Sequence, residues 1–104
     1  MVSFTLRRAG YDVVEAEDGN QALTALGTNR LACIITDINM PGMDGIELIR
    51  LLRANPVHGS TPILMLTTAT DVARQQEGQA AGATGWLGKP FHPASLIEAI
   101  ARIC

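Results

Sequence analysis

Three residues with complementary side chains stand at the ends of three mainly apolar stretches of the sequence. Asp37 ends the run LACIITD, Thr67 ends the run ILMLT, and Lys89 follows the segment GWLG. If these stretches are neighbouring strands, one carboxylate, one hydroxyl and one ammonium share a small pocket. That combination predicts a polar ligand site whose chemistry depends on a carboxylate beside a cation.

The surrounding pattern predicts the elements that would position these residues. Short apolar or β-branched runs alternate with amphipathic segments of helical period, which is typical of a parallel sheet covered by helices on both faces. The predicted strands are Tyr11–Ala16, Leu31–Asp37, Ile63–Thr67 and Gly85–Gly88. The predicted helices are Val2–Ala9, Glu17–Leu26, Gly45–Asn55, Asp71–Ala83 and His92–Ile103.

This architecture gives the spacing of the three polar residues a meaning. Ligands of open parallel sheets bind beyond the carboxyl ends of the strands, where loops and helix N-termini meet. Asp37, Thr67 and Lys89 each stand at such an end. Asp44, which precedes a predicted helix, is expected to cap its N-terminus and not to act chemically.

Length and composition exclude several classes of function. The chain has 104 residues, so we expect one domain, and 47% of its residues are hydrophobic without any run long enough to span a membrane. With a formal net charge of -2 and scattered basic residues, direct nucleic-acid binding is not expected. Two cysteines without a disulfide or metal-ligand pattern favour a reducing, cytoplasmic setting.

Three motifs together resemble a known family. Asp37 with NMPGMDG after Ile38, Thr67 thirty residues further on, and KPF at Lys89–Phe91 resemble the receiver domain of two-component response regulators, chemotaxis regulators among them. The resemblance extends over residues 1–104. It implies a flavodoxin-like, doubly wound α/β fold with three layers, α, β and α.

The resemblance also implies a function. Asp37 would accept a phosphoryl group from a sensor histidine kinase or phosphotransfer protein, and Thr67 and Lys89 would contact that group. Thr67 and Trp86 would form the switch that alters the surface for a downstream protein. Such a domain is not an enzyme acting on outside substrates; at most it catalyses its own phosphorylation and dephosphorylation.

The expected metal site is incomplete in this sequence. In the family, magnesium is held by the phosphoacceptor, here Asp37, by a backbone carbonyl, here that of Asn39, and by an acidic pair that ends a first strand. The present sequence begins with a predicted helix, so neither the strand nor the acidic pair is matched. We therefore expect four strands, with the first one of the family missing, and weak magnesium binding.

A missing central strand would leave ladder groups unpaired on Tyr11–Ala16 and Leu31–Asp37. The sequence then predicts a rearranged monomer or a homodimer formed by strand exchange. The missing strand is explained at least as well by Met1 being an internal residue of a longer gene product as by a natural shortening of the chain.

Other readings of the same residues stay open. Asp37 alone could be a turn or cap residue. Thr68 is an alternative to Thr67 as the threonine that contacts the phosphoryl group. Trp86 is equally compatible with a packing role and with a role in the switch. The rival function is a binding or dimerisation module that keeps the receiver scaffold but is not phosphorylated, because the acidic pair is absent.

Overall fold

The computed structural model of the chain describes residues 2–13, 19–26, 31–38, 44–68 and 72–103. Within these ranges, helices and strands alternate along most of the chain. The helices are α1 (Val2–Arg8), α2 (Gly19–Leu26), α3 (Gly45–Ala54), α4 (Val72–Ala81) and α5 (Pro93–Ile103). The strands are β1 (Ile34–Asp37), β2 (Ile63–Thr68) and β3 (Gly85–Lys89).

The three described strands form one parallel sheet in the order β1-β2-β3. Because parallel strands need crossover connections, each successive pair is joined through a helix, α3 between β1 and β2 and α4 between β2 and β3. The predicted α/β fold is thus confirmed. Half of the strand predicted at Tyr11–Ala16 lies outside the described residues, and the described half, Tyr11–Val13, is not part of a strand. Strand exchange, which concerns that segment, stays a prediction.

Strand β2 is apolar from Ile63 to Leu66 because helices cover both of its faces. Ile63 and Met65 belong to a buried cluster on one face, with Leu48, Ile49 and Leu52 of α3. Leu64 and Leu66 belong to a second cluster on the other face, formed with residues of α1 and α5. The alternation of side chains along the strand divides the residues between the two faces, which gives the three layers expected from the sequence. No helix within the described ranges combines the length and apolarity that crossing a membrane requires.

Helix ends follow the signals in the sequence. Asp44 caps α3, because its side chain accepts a hydrogen bond from the backbone N–H of Ile46. Gly82 has a positive φ of 121° after α4, and the next residue, Ala83, donates its N–H to the carbonyl of Gly78 at 3.1 Å. This is the bond pattern of a glycine-terminated helix, so both predicted ends are confirmed.

Gly78, which the sequence suggests as a weak point of α4, has a packing role. It is buried, and a Cβ built on it would lie 2.9 Å from Cε of Met65 and closer still to the sulfur. The missing side chain therefore lets α4 approach the core residue Met65 of β2. That close approach offsets the lower helix propensity of glycine.

Arg53 joins three segments at the amino-terminal edge of the sheet. Its guanidinium donates to the carbonyl oxygens of Thr61 at 2.7 Å, Gly82 at 2.8 Å and His58 at 3.1 Å. Burial lowers the pKa of this guanidinium from its usual value. Since one side chain of α3 holds the chain where β2 and β3 begin, Arg53 fixes the relative position of those strands.

His58 lies in the turn after α3 and is only 1% exposed. Neither of its ring nitrogens has a hydrogen-bond partner among the described residues. The sequence, in which His58 stands in a loop rich in turn formers, gives no signal of this burial.

Replacing Arg53 with alanine should lower the free energy of unfolding by about 2 kcal/mol, because several carbonyl groups lose a charged donor. Urea unfolding followed by circular dichroism measures this change. Arg50→Ala removes an exposed arginine from the same helix and should change stability by less than about 0.5 kcal/mol. Equal effects of the two substitutions would contradict the role given to Arg53.

Candidate functional site

The carboxyl edge of the sheet brings together the polar residues singled out in the sequence. Asp37 pairs in register with Leu66, Thr67 pairs with Gly88, and Thr68 pairs with Lys89. The last residue of β1 and the last residue of β3 therefore lie on either side of the end of β2. This is the edge at which ligands of parallel sheets bind.

Asp37 and Lys89 form an ion pair across this edge. The ammonium Nζ of Lys89 donates to Oδ2 of Asp37, although 52 residues separate the two in sequence. The side chains are 33% exposed for Asp37 and 39% for Lys89. The pair is therefore accessible from solvent, and a ligand could reach the carboxylate beside its cation.

Thr67 lies at the same edge but takes no part in the ion pair. It is fully buried, and its hydroxyl donates to the carbonyl of Thr68 at 3.3 Å. Thr68 is exposed. The two threonines therefore differ, and Thr67 is the one whose hydroxyl belongs to the interior beside the site.

Trp86 lies in β3, opposite Met65 of β2, and is 45% exposed. Trp86 is therefore only partly packed against the rest of the protein. Asn39, predicted to offer a backbone carbonyl to a metal, lies outside the described residues. The peptide bond between Lys89 and Pro90 is cis.

The start of α3 closes tightly on the end of β1. The N–H of Gly45 donates to the carbonyl of Ile38 at 3.1 Å. A Cβ built on Gly45 would lie 2.5 Å from Cα of Ile38, 3.0 Å from the carbonyl carbon of Asp37 and closer still to its oxygen. Only glycine fits here, so Gly45 fixes the backbone that carries the Asp37 carboxylate.

Arg74 of α4 reaches the same junction. Its Nη2 donates to the carbonyl of Ile38 at 3.2 Å and to Oδ1 of Asp44 at 2.5 Å. Its Nη1 lies 3.4 Å from a carboxylate oxygen of Glu77, one turn further along the helix. The hydrogen bond from Arg74 is the main reason that the pKa of Asp44 lies below its usual value, while partial burial opposes this shift.

The described residues do not by themselves fit a magnesium site. Magnesium prefers six oxygen ligands and usually takes one or two carboxylates together with phosphate oxygens and water. At this edge Asp37 supplies one carboxylate, and the carboxylate of Asp44 is bound to Arg74. In the parts of the chain that the structure describes, no cluster of three His, Cys, Asp or Glu residues could hold a metal ion.

Sequence reasoning missed Arg74 and the steric role of Gly45. The only local signal at Arg74 is Glu77 three residues later, which is typical of a solvent-exposed helix pair. The partners that matter, Ile38 and Asp44, are 36 and 30 residues away. No local pattern of sequence encodes contacts at that separation.

Comparison with known proteins decides the family. The family model described as the response regulator receiver domain matches residues 1–101. The chain belongs to the receiver domain family. The resemblance carried by Asp37, Thr67 and the KPF motif is thereby confirmed, and this receiver is a signalling domain of two-component response regulators.

Solved structures of receivers agree with the fold. Chemotaxis protein CheY4 of Vibrio cholerae is 48% identical and superimposes with a TM-score of 0.94, covering 100% of this chain and 87% of that one. The receiver domain of sensor histidine kinase PA1611 of Pseudomonas aeruginosa is 32% identical with a TM-score of 0.87, covering 98% of this chain and 84% of that one. The PA1611 structure has a magnesium ion coordinated in its active site cleft.

Curated relatives include the DNA-binding response regulator MtrA of Mycolicibacterium paratuberculosis. It is 38% identical over 100 residues, which is 96% of this receiver and 43% of MtrA. The receiver thus spans less than half the length of the curated relatives that it matches. Their DNA binding is a property of proteins more than twice as long.

Gly45→Ala should lower the free energy of unfolding by about 2 kcal/mol or more, because the added methyl group clashes with rigid backbone at the end of β1. Thermal and urea unfolding measure the loss. Gly59→Ala is the matched control, since a Cβ there would meet only carbonyl oxygens at 3.4 and 3.6 Å. If Gly45→Ala leaves the free energy of unfolding unchanged, the start of α3 can move away from the end of β1 without loss of stability, and the role given to Gly45 is wrong.

The ion pair of Asp44 should give stability a defined pH dependence. Since its folded-state pKa is lowered, its contribution is complete above the usual value of 3.8 and is lost as the pH falls through the lower folded value. Asp44→Asn keeps an effective cap but removes the charge. With both partners partly exposed, it should cost about 0.5 kcal/mol at neutral pH.

The difference in unfolding free energy between wild type and Asp44→Asn should therefore vanish in strong acid, when Asp44 itself is protonated. Urea titrations at several pH values measure this. A difference that stays constant from neutral pH to strong acid would show that the Asp44 charge contributes nothing.

Proposed function

We propose that this receiver accepts a phosphoryl group on the carboxylate of Asp37. The observation that carries the proposal is the ion pair between Asp37 and Lys89, partly exposed at the carboxyl edge of the sheet. An exposed carboxylate held beside an ammonium suits phosphoryl transfer, which depends mainly on positioning and on neutralising charge. No described acid stands beside Asp37 in a role suited to hydrolysing outside substrates.

The proposed reaction is a transfer between two side chains. An oxygen of Asp37 attacks the phosphorus of a phosphohistidine on a partner protein, forming an acyl phosphate. The bond between phosphorus and the imidazole nitrogen breaks, and the imidazole leaves with the electron pair of that bond and takes up a proton. Water later attacks the phosphorus and releases inorganic phosphate, which restores the Asp37 carboxylate.

Lys89 and Thr67 have distinct parts in this proposal. The ammonium of Lys89, already beside Oδ2 of Asp37, would neutralise charge on the phosphoryl oxygens. The hydroxyl of Thr67 now donates to the carbonyl of Thr68. Exchange of that weak local bond for one to a phosphoryl oxygen would draw Thr67 towards the site. Repacking around Trp86 would then alter the surface offered to a downstream protein.

The partners follow from this reaction. The phosphoryl donor is a sensor histidine kinase or a phosphotransfer protein. The signal then passes to a downstream protein. We propose a cytoplasmic setting for the exchange, on the cysteine usage of the sequence. For magnesium, which the PA1611 receiver coordinates, we propose weak binding through Asp37 and the backbone carbonyl of Asn39. No step above depends on that ion.

Incubation with acetyl phosphate and magnesium should add one phosphoryl group to the wild-type receiver, because acetyl phosphate can replace the phosphohistidine as donor. Intact-mass spectrometry measures the gain. Asp37→Asn should abolish it, since the uncharged amide oxygen is a much weaker nucleophile than a carboxylate oxygen. Asp12→Asn is the matched control, because Asp12 is exposed and takes part in none of the described contacts around Asp37, and it should be phosphorylated as wild type.

An Asp37→Asn variant that still gains a phosphoryl group would overturn the assignment of Asp37. A wild-type receiver that gains none, even at high magnesium concentration, would favour the rival function as a binding or dimerisation module. Light scattering on the same sample then tests the predicted homodimer.

A further inference from the structure

Arg74 connects α4 to both ends of the segment that follows Asp37. Residues 39–43 lie between Ile38 and Asp44, and one nitrogen of Arg74, Nη2, donates to both flanking residues. The two bonds are 3.2 Å to the carbonyl of Ile38 and 2.5 Å to Oδ1 of Asp44. A single side chain from another helix therefore holds the two ends of this segment together.

The carbonyl of Ile38 is held from two directions. It accepts from the N–H of Gly45 at 3.1 Å as well as from Arg74, while the N–H of Ile38 donates to the carbonyl of Leu66 at 3.1 Å. The backbone just after Asp37 is thus fixed to β2, to the start of α3 and to α4. Of these three attachments, the one to α4 is made by a side chain alone.

Helix α4 is also attached to the end of β2. The side-chain amide of Gln75 donates to the carbonyl of Thr68 at 3.4 Å. Thr68 follows Thr67, whose hydroxyl donates to the same carbonyl. Two consecutive residues of α4 therefore contact the backbone next to Asp37 and the backbone next to Thr67. A shift of this helix would alter the hydrogen bonds to the carbonyl groups of Ile38 and Thr68 together.

We propose that Arg74 is a positioning residue that couples the conformation of α4 to the state of the Asp37 carboxylate. Arg74 does not touch the reacting oxygen; it acts through the backbone of Ile38 and the carboxylate of Asp44. The proposal rests on the proposed function insofar as phosphorylation is the natural change at Asp37. Coupling between two sites is reciprocal, so a change at Asp37 alters α4 and a change in α4 alters Asp37.

The partial exposure of the contact agrees with a coupling role more than with one in stability. The side chain of Arg74 is 26% exposed and that of Asp44 is 42% exposed. Ion pairs of this kind contribute little to folding, and α3 keeps its cap at Asp44 without Arg74 because the bond from the N–H of Ile46 is independent. Removal of Arg74 should therefore leave the fold intact.

A double-mutant cycle between Asp37→Asn and Arg74→Gln tests the coupling. Hydrogen exchange of residues 72–81, followed by mass spectrometry, reports the conformation of α4. Asp37→Asn should change the exchange rates of these amides about fivefold, the lower end of usual coupling strengths. In the Arg74→Gln background the same substitution should change them less than about twofold.

Two further variants separate coupling from simple loss of structure. Arg74→Lys keeps one nitrogen that can donate to both oxygens and should restore part of the response. Arg102→Gln removes an arginine that is 75% exposed and pairs with Glu98 on α5 at 3.4 Å; it should leave the response to Asp37→Asn unchanged. Thermal unfolding of every variant confirms that the fold is retained.

Additivity would overturn the proposal. In that case Asp37→Asn would change the exchange rates of residues 72–81 by the same factor whether position 74 carries Arg or Gln. No response of α4 to Asp37→Asn in the wild-type background would overturn it as well. This cycle needs no phosphorylation. A wild-type receiver that gains no phosphoryl group but shows non-additive exchange would thus contradict the proposed function and still support the coupling.

Discussion

The ion pair between Asp37 and Lys89 depends on the parallel register of three strands. Its two residues end β1 and β3, which are not adjacent, and the end of β2 lies between them. A shift of either strand by one residue would turn its side chains to the opposite face of the sheet. The core therefore determines the chemistry at the edge, because the buried residues of β2 fix the register on both sides.

The two edges of the sheet are stabilised in different ways. At the amino-terminal edge, Arg53 binds carbonyl groups from the turns that precede β2 and β3. At the carboxyl edge, Gly45 closes on the backbone of β1, and Arg74 binds the same backbone from α4. One edge is held by a largely structural arginine; the other is held by contacts through which a helix and the Asp37 carboxylate can influence each other.

Much of this arrangement can be predicted from the sequence, because local rules specify it. The apolar strands, the cap at Asp44 and the glycine that ends α4 are each specified by a few consecutive residues. The meeting of Asp37 with Lys89 follows from the general rule that the ends of parallel strands share an edge.

The rest of the arrangement depends on contacts that cross the chain. Arg53 and Arg74 are ordinary helix arginines in sequence, and their partners are up to 31 and 36 residues away. Gly78 is suggestive of a weak helix until the position of Met65 is known. His58 is buried in a stretch that has the composition of an exposed loop. In each case the three-dimensional neighbour, and not the residue type, sets the role.

The central claim is that Asp37 is the residue that carries the phosphoryl group. The most direct measurement is to reduce the acyl phosphate with borohydride after incubation with acetyl phosphate, which converts the modified aspartate to homoserine and releases phosphate, and then to locate the product by peptide mass spectrometry. The account predicts homoserine at position 37. Homoserine at another aspartate of this receiver, with Asp37 unchanged, would contradict it.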